Sequence, residues 1–480
     1  MSEPDPPAGT APEKSLRRAL GLRDLVLFNV VAVMGLRWLA TSAHNGPSAI
    51  ALWLLAGVMF FVPQGLVVIE LASRFPQEGG IYNWTKRALG EKHGYLCGWC
   101  YWINNVLYYP NLLISTAAIA TYVVGRGNTT LKDDPTYVLT ATVICLWVAV
   151  FVNILGVGTG RWLQNAGGLG TYVPGLVLIV LGAIAFLTGQ PSANAFTRET
   201  VTPDLGHLSG LNLWSNIAFA FAGLELSSAL GGEVRDPRRT LPRAVLIAAP
   251  LIAVGYILGT TSVLWLVPQQ DVNIVSGFLQ AISVGADAVS PHLWWLAAAC
   301  AAAYTIGNIG GVGAWLTGPA RVALVIGLDR YFPPAFGRIH PRWKTPYVAI
   351  LVQAVLATAF LFISKAGKDT TIEKAYLILL DTQLIVYFIP YVYLFMSYLI
   401  HRRSAATAEV VRVPGGALVG WLTGLSGLVM TLLAIVLALI PPADDTQPAL
   451  FLLKVGGGAL GFVGLGVLVY WRAQRRAARA

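Results

Sequence analysis

The sequence predicts an all-α polytopic membrane protein with about twelve spans, and three observations lead there. Apolar residues make up 56% of the chain and charged residues only 12%, too little charge to cover a water-facing surface. Apolar runs of about 20 residues, each enough for one crossing, recur along the whole length. The basic residues gather in alternate linkers rather than along one face.

The elements follow in order. Residues 1–20 open with "MSEPDPPAGTAPEKS", polar and Pro-rich, with no apolar h-region. They are expected to form a disordered cytoplasmic tail. Apolar runs then begin near Leu22, Ala49, Tyr95, Tyr137 and Gly170, a first five-helix unit over residues 21–190. Runs near Leu211, Leu241, Trp294, Tyr347 and Ala375 form a second unit over 210–403. Two more, near Val419 and Ala449, fill 417–471, and 472–480 is a basic cytoplasmic tail. Linker prolines such as Pro76, Pro203, Pro237, Pro334 and Pro441 punctuate the runs.

Charge sets the expected orientation. With the N-terminus inside, the inner segments carry about 24 Lys and Arg and the outer loops about 7. The inner set includes Arg17, Arg18, Arg74, Arg87, Arg235, Arg239, Arg338, Arg402 and Arg475. An even span count leaves both termini cytoplasmic, in the cell membrane. The net charge of +10 is then topological, and no nucleic-acid partner is implied.

Two spans resemble each other. "NVVAVMGLRWLA" in the first run and "NIAFAFAGLELSSA" in the sixth both start at Asn and reach Gly-Leu followed by a charge. The charges are Arg37 and Glu225. Five-helix units repeated in series are inverted relative to each other, because five is odd. Transporters built this way carry broken helices at matching positions, with the binding site between them. Glycine weakens a helix, and free backbone groups in lipid are tolerated only where they line a cavity. Two breaks facing one polar cavity are therefore expected.

Three further segments, "ELASRFPQEGGIYNW" (70–84), "GGEVRDPRRTLPRAV" (231–245) and "GLDRYFPPAFGRIHPRWKTPYVAI" (327–350), resemble signatures of the amino acid–polyamine–organocation (APC) superfamily of permeases. The resemblance runs over nearly the whole chain, in order. It implies the LeuT-like 5+5 inverted-repeat fold plus two C-terminal helices, with helices 1 and 6 discontinuous. It also implies secondary transport of amino acids or amines by symport or exchange. The family's first break is a Gly-Ser-Gly-Ile-like stretch whose amides hold a substrate carboxylate. Here "MGLRW" keeps Gly35 but places Leu36 and Arg37 where small residues are expected. Glu225 matches the family's Gly-x-Glu. Relatives with proton coupling often carry a lysine in span five, where this chain offers Thr171 or Tyr172. "CYWINNV" resembles a Trp-Ile-x-Asn segment that places Asn105 near substrate.

The expected substrate site is thus Val33, Met34, Gly35, Leu36 and Arg37 from the first break, Phe221, Ala222, Gly223, Leu224 and Glu225 from the second, and Asn105. Several candidates have a plainer alternative. Arg37 could snorkel to a membrane face; about fifteen residues into its span, roughly 20 Å deep, a cavity position fits better. Its partner would be either Glu225 or a substrate carboxylate. Glu225 could instead brace the broken helix. Phe219 and Phe221 are candidate gates, though aromatics in spans usually pack. Asp381, about 12 Å into its run, is a candidate proton carrier or a hydrogen-bonded core residue. Arg321 reads as structural.

Other chemistry finds little support. "CGWC" (Cys97, Cys100) opens an apolar run, a context that suits packing rather than redox work. The six histidines have no metal-ligand spacing, and no cofactor or metal is expected. The expected partners are a small amino-acid-like molecule, the lipid bilayer and a coupling proton or sodium ion. An integral-membrane enzyme would need a clustered metal or nucleophile set, which is missing from the sequence. A polyamine or organic cation carrier is the alternative within transport, opposed by Arg37. A non-transporting sensor of the same fold is the other.

Overall fold

The computed structural model describes residues 18–125, 131, 134–203, 208–365, 372–404, 409–441 and 448–477. Most of the expected N-terminal tail lies outside these residues. The helices are α1 (Leu22–Val33), α2 (Arg37–His44), α3 (Ser48–Arg74), α4 (Ile81–Leu89), α5 (Glu91–Gly125), α6 (Pro135–Ile154) and α7 (Val157–Leu187). After them come α8 (Leu208–Phe221), α9 (Pro237–Leu266), α10 (Gly277–Val289), α11 (Leu296–Leu328), α12 (Tyr347–Lys365), α13 (Ile372–His401), α14 (Gly416–Leu437) and α15 (Pro448–Ala477). Among the described residues ten helices are long and apolar enough to cross a membrane. The expected runs at Leu211 and Tyr347 correspond to α8 with a 3-10 continuation, Leu226–Glu233, and to α12. Short α4 and α10 lie in stretches that span counting passes over.

Both expected breaks are present. α1 stops at Val33, Met34 is extended (φ −74°, ψ 101°), and helix resumes at Arg37. α8 stops at Phe221, and Gly223 sits at φ +130°, a conformation that side chains rarely adopt. The 3-10 helix follows Glu225. Breaking a helix in lipid orphans backbone groups, and here side chains satisfy them. The Trp315 indole N–H donates to the Ala32 carbonyl at 3.0 Å. The Tyr256 hydroxyl lies 2.6 Å from the Val33 carbonyl and 3.1 Å from that of Ala220, and accepts from the Gly35 amide at 3.0 Å. One hydroxyl thereby ties the two breaks together. Tyr391 accepts from the Gly223 amide at 2.6 Å.

The breaks sit at the centre of the helix assembly, where close helix packing holds them. A Cβ on Gly170 would lie 2.3 Å from the Ala303 carbonyl, and one on Gly310 would lie 2.7 Å from the Gly167 Cα. Small residues thus let α7 and α11 touch backbone to backbone, the membrane solution where water drives nothing together. The lipid side is apolar: Leu418, Val429 and Leu453 are exposed.

One end of the assembly is tied by charges. Arg321, 1% exposed, donates to Glu233 at 2.8 Å and 3.2 Å and lies 3.9 Å from Glu78. The Glu78 carboxylate also accepts from the Gly232 amide at 2.8 Å. Leu20 bridges Val234 as a short parallel β pair. Glu70 accepts from Arg402 at 3.0 Å and from the Val413 amide at 2.9 Å.

Candidate functional site

A cavity of about 30 Å³ lies between the two breaks, room for about two water molecules. Side chains therefore fill most of the space between the breaks. Val33, Met34, Gly35 and Arg37 line it from one break, and Phe219, Ala220 and Ala222 from the other. Asn104 and Tyr108 of α5, Thr171 of α7, Trp315 of α11, and Gln383 and Tyr387 of α13 complete the polar and aromatic wall.

Arg37 is the one formally charged residue among the described lining. It is 2% exposed, so it does not snorkel. Its Nη1 donates to the Asn111 side-chain oxygen at 3.0 Å, and its guanidinium lies 4.8 Å from the Trp38 ring centre and 5.8 Å from that of Tyr108. Those contacts suit a cation over aromatic faces. Its Nε–H is buried without a hydrogen-bond acceptor. Two more polar side chains in the same wall are unsatisfied: the Asn104 oxygen, and both ends of the Gln383 amide. A buried polar group without a partner costs about 1–3 kcal/mol, so three in one cavity mark the place where a polar ligand would offset the cost.

Glu225 lies outside this wall, in a cage of donors. Tyr101 donates to it at 2.9 Å, Tyr387 at 2.7 Å and Gln64 at 3.3 Å, and Tyr391 donates as well. Tyr391 accepts from Gln64 and the Gly223 amide, so its own proton turns to Glu225. This geometry suits a carboxylate. No salt bridge joins Arg37 and Glu225 among the described residues. The pairing across the cavity, one of the two partners expected for Arg37, is replaced by separate networks. Tyr387 stands between them, lining the cavity while holding Glu225.

The other expected residues divide. Leu36 packs against Gly175, Leu224 against Gly65, and Phe221 stacks on Phe61 at 4.3 Å between ring centres; none of the three lines the cavity. Gly223 backs the break, where an added Cβ would come 3.0 Å from the Val33 side chain. Asn105 donates to the Tyr101 carbonyl at 3.1 Å and is not a lining residue; its neighbour Asn104 takes that place. One residue is about 100° of helix, which adjacent asparagines in sequence leave undecided. Phe219 lines the cavity, edge-on to Trp38 at 5.7 Å and to Tyr387 at 5.6 Å. Asp381 is buried in α13 but, two residues from Gln383, points about 200° round the helix and does not line the cavity.

Sequence reading missed Tyr101, Tyr256, Gln383, Tyr387 and Tyr391. A signal existed for three of them: Gln383, Tyr387 and Tyr391 fall at i, i+4 and i+8, one polar stripe on an apolar span. Cys97 and Cys100 are buried free thiols, and Cys97 lies 3.4 Å from the Thr85 hydroxyl. Among the described residues no His, Cys, Asp and Glu group could hold a metal ion.

Known proteins share this architecture. An L-phenylalanine complex of MhsT superposes with a TM-score of 0.63 at 15% identity, over 88% of this chain and 99% of that one. It establishes the LeuT-like fold. An uncharacterized transporter of Legionella pneumophila is 31% identical over 93% of this chain and 95% of its own length. A glutamate/gamma-aminobutyrate antiporter of Lactococcus lactis is 24% identical over 82% of this chain and 78% of its own. A probable agmatine/putrescine antiporter of the same species is 22% identical over 90% of each. These relatives are transporters, not enzymes. The family model for amino acid permeases matches residues 20–460, and the chain belongs to that family of multi-pass membrane transporters.

Proposed function

We propose that this chain is a secondary active transporter, a permease or exchanger, that moves an amino acid or close relative by alternating access. Its termini are cytoplasmic, a reading supported by the excess of Lys and Arg in alternate linkers. The observation that carries the reading is the small cavity between two broken helices, with three unsatisfied side chains in its wall, the buried Arg37 cation among them. The Arg37 Nε–H takes a substrate carboxylate. The Asn104 and Gln383 oxygens take an ammonium or amide. The cavity is too small for such a solute as it stands, so loading requires the helices to part. Tyr387 and Phe219 move with that opening, since both rings fill the space between the breaks.

Carriage of a polyamine, suggested by one relative, is disfavoured by Arg37, which no described carboxylate neutralises. Purified protein in liposomes loaded with radiolabelled glutamate, γ-aminobutyrate, phenylalanine or putrescine tests this. Counterflow of a carboxylate-bearing solute supports the reading. Counterflow of putrescine alone overturns it in favour of the cation carrier, and no counterflow of any tested solute favours a sensor.

A further inference from the structure

A second hollow lies apart from that site. A groove of about 400 Å³ runs between α5, α12, α15 and the segment after α11. Its walls are apolar and largely aromatic, with Trp99, Trp102, Phe332, Phe336 and Phe462 among them. Its outer lip is open to the bilayer, for Leu356 is 39% and Leu465 48% exposed.

Two features point to an occupant. The first is an orphan donor. Trp102 is 3% exposed, and its indole N–H is buried without an acceptor. Trp99 beside it is satisfied, donating to the Phe462 carbonyl at 2.9 Å. Pure hydrocarbon would leave the Trp102 proton unpaired, so the missing partner is an oxygen carried on an apolar molecule. The second is charge. On α15, Phe462, Leu465 and Val469 form one helical stripe along the groove, and its continuation is Arg472 and Arg476, both exposed. Arg338, also exposed, follows two residues after Phe336. Tyr470 and the exposed Trp471 mark the membrane–water boundary at that level. Tyr95, two turns before Trp102 on α5, meets Tyr470 at that level, 5.0 Å between ring centres. Trp102 lies about 10 Å deeper along the helix, 5.5 Å and 5.8 Å from the rings of Phe332 and Phe336.

We propose that this groove is a binding site for an anionic membrane phospholipid. One acyl chain fills the aromatic groove, a glycerol ester carbonyl accepts the Trp102 N–H, and the phosphate-bearing headgroup meets Arg472, Arg476 and Arg338. No transport step is involved, so the proposal stands or falls apart from the substrate site.

The test is native mass spectrometry of the purified full-length protein. It is given an equimolar mixture of phosphatidylglycerol and phosphatidylcholine with identical chains. Retained lipid should be mainly phosphatidylglycerol. Arg472→Gln with Arg476→Gln should cut that preference, about fivefold for each charge removed. Trp102→Phe, which keeps the ring and removes the donor, should lower retention of both lipids. Ala359→Trp, on the groove lip, should abolish retention. Equal retention of the two lipids by the wild type, or unchanged retention in both Trp102→Phe and the double arginine variant, would overturn the proposal. Both of those variants keep the fold's packing, so the outcome does not depend on whether Ala359→Trp folds.

Discussion

Arg37 has an environment that explains both its tolerance and its use. Aromatic faces and Asn111 hold the cation in the interior, and one N–H is left over. Arg37→Ala should therefore weaken substrate binding by about 2–4 kcal/mol. Lysine should rescue it poorly, because a point ammonium cannot offer the guanidinium's fixed fork. Isothermal titration with the counterflow substrate measures both variants; normal affinity in Arg37→Ala removes the residue from the site. Because Arg37 and Glu225 lie in separate networks, their effects on stability should add. The double alanine variant should melt as the sum of the singles, within about 0.5 kcal/mol. A coupling above about 2 kcal/mol would reinstate a direct pair. Glu225→Gln should be milder than Glu225→Ala, since the amide oxygen still accepts from the tyrosines that alanine would strand.

The broken helices depend on residues that repair their ends. Gly223→Ala would force a side chain into φ +130° and towards Val33, so both folding yield and counterflow should fall. Tyr256→Phe keeps the ring stacked on Trp53 at 4.5 Å but strands the Gly35 amide and two carbonyls. A loss of about 1–3 kcal/mol in thermal stability is expected, and an unchanged melting curve would show that water replaces the hydroxyl. Arg321 ties α11 to the 3-10 helix beyond the second break. Arg321→Ala leaves Glu233 buried and uncompensated, a loss of about 3–5 kcal/mol. Arg321→Ala with Glu233→Ala should recover part of it in the same melting assay.

In the proposed alternating-access cycle the centre opens in turn to each side, and orientation decides which end is which. In the proposed orientation the Arg235–Arg243 segment faces the cytoplasm. Single cysteines there, in a variant lacking the four native thiols, should resist an impermeant maleimide in intact cells; ready labelling would reverse the topology. That background should itself be active, because Cys97 and Cys100 are buried free thiols that do not line the cavity. Asp381 remains a candidate for proton linkage despite lying off the cavity. Asp381→Asn should flatten the pH dependence of uptake while preserving binding, and an unaltered profile would remove it from the mechanism.

Span positions, the two breaks and the involvement of Arg37 were legible in the residues, because lipid imposes one-dimensional rules: apolar length, glycine at a break, charge at the linkers. Gly35 and Gly223 announced the interruptions by their local chemistry alone. The partners could not be read that way. Whether Arg37 meets Glu225 or Asn111 depends on how α5, α8 and α13 rotate about their axes, and rotation is set by contacts distant in sequence. The same holds for Asn104 over Asn105, and for Tyr256, whose hydroxyl closes both breaks from a helix that neither interrupts. A helix's polar stripe can be written down from its sequence; which stripe it faces is decided by packing among all the others.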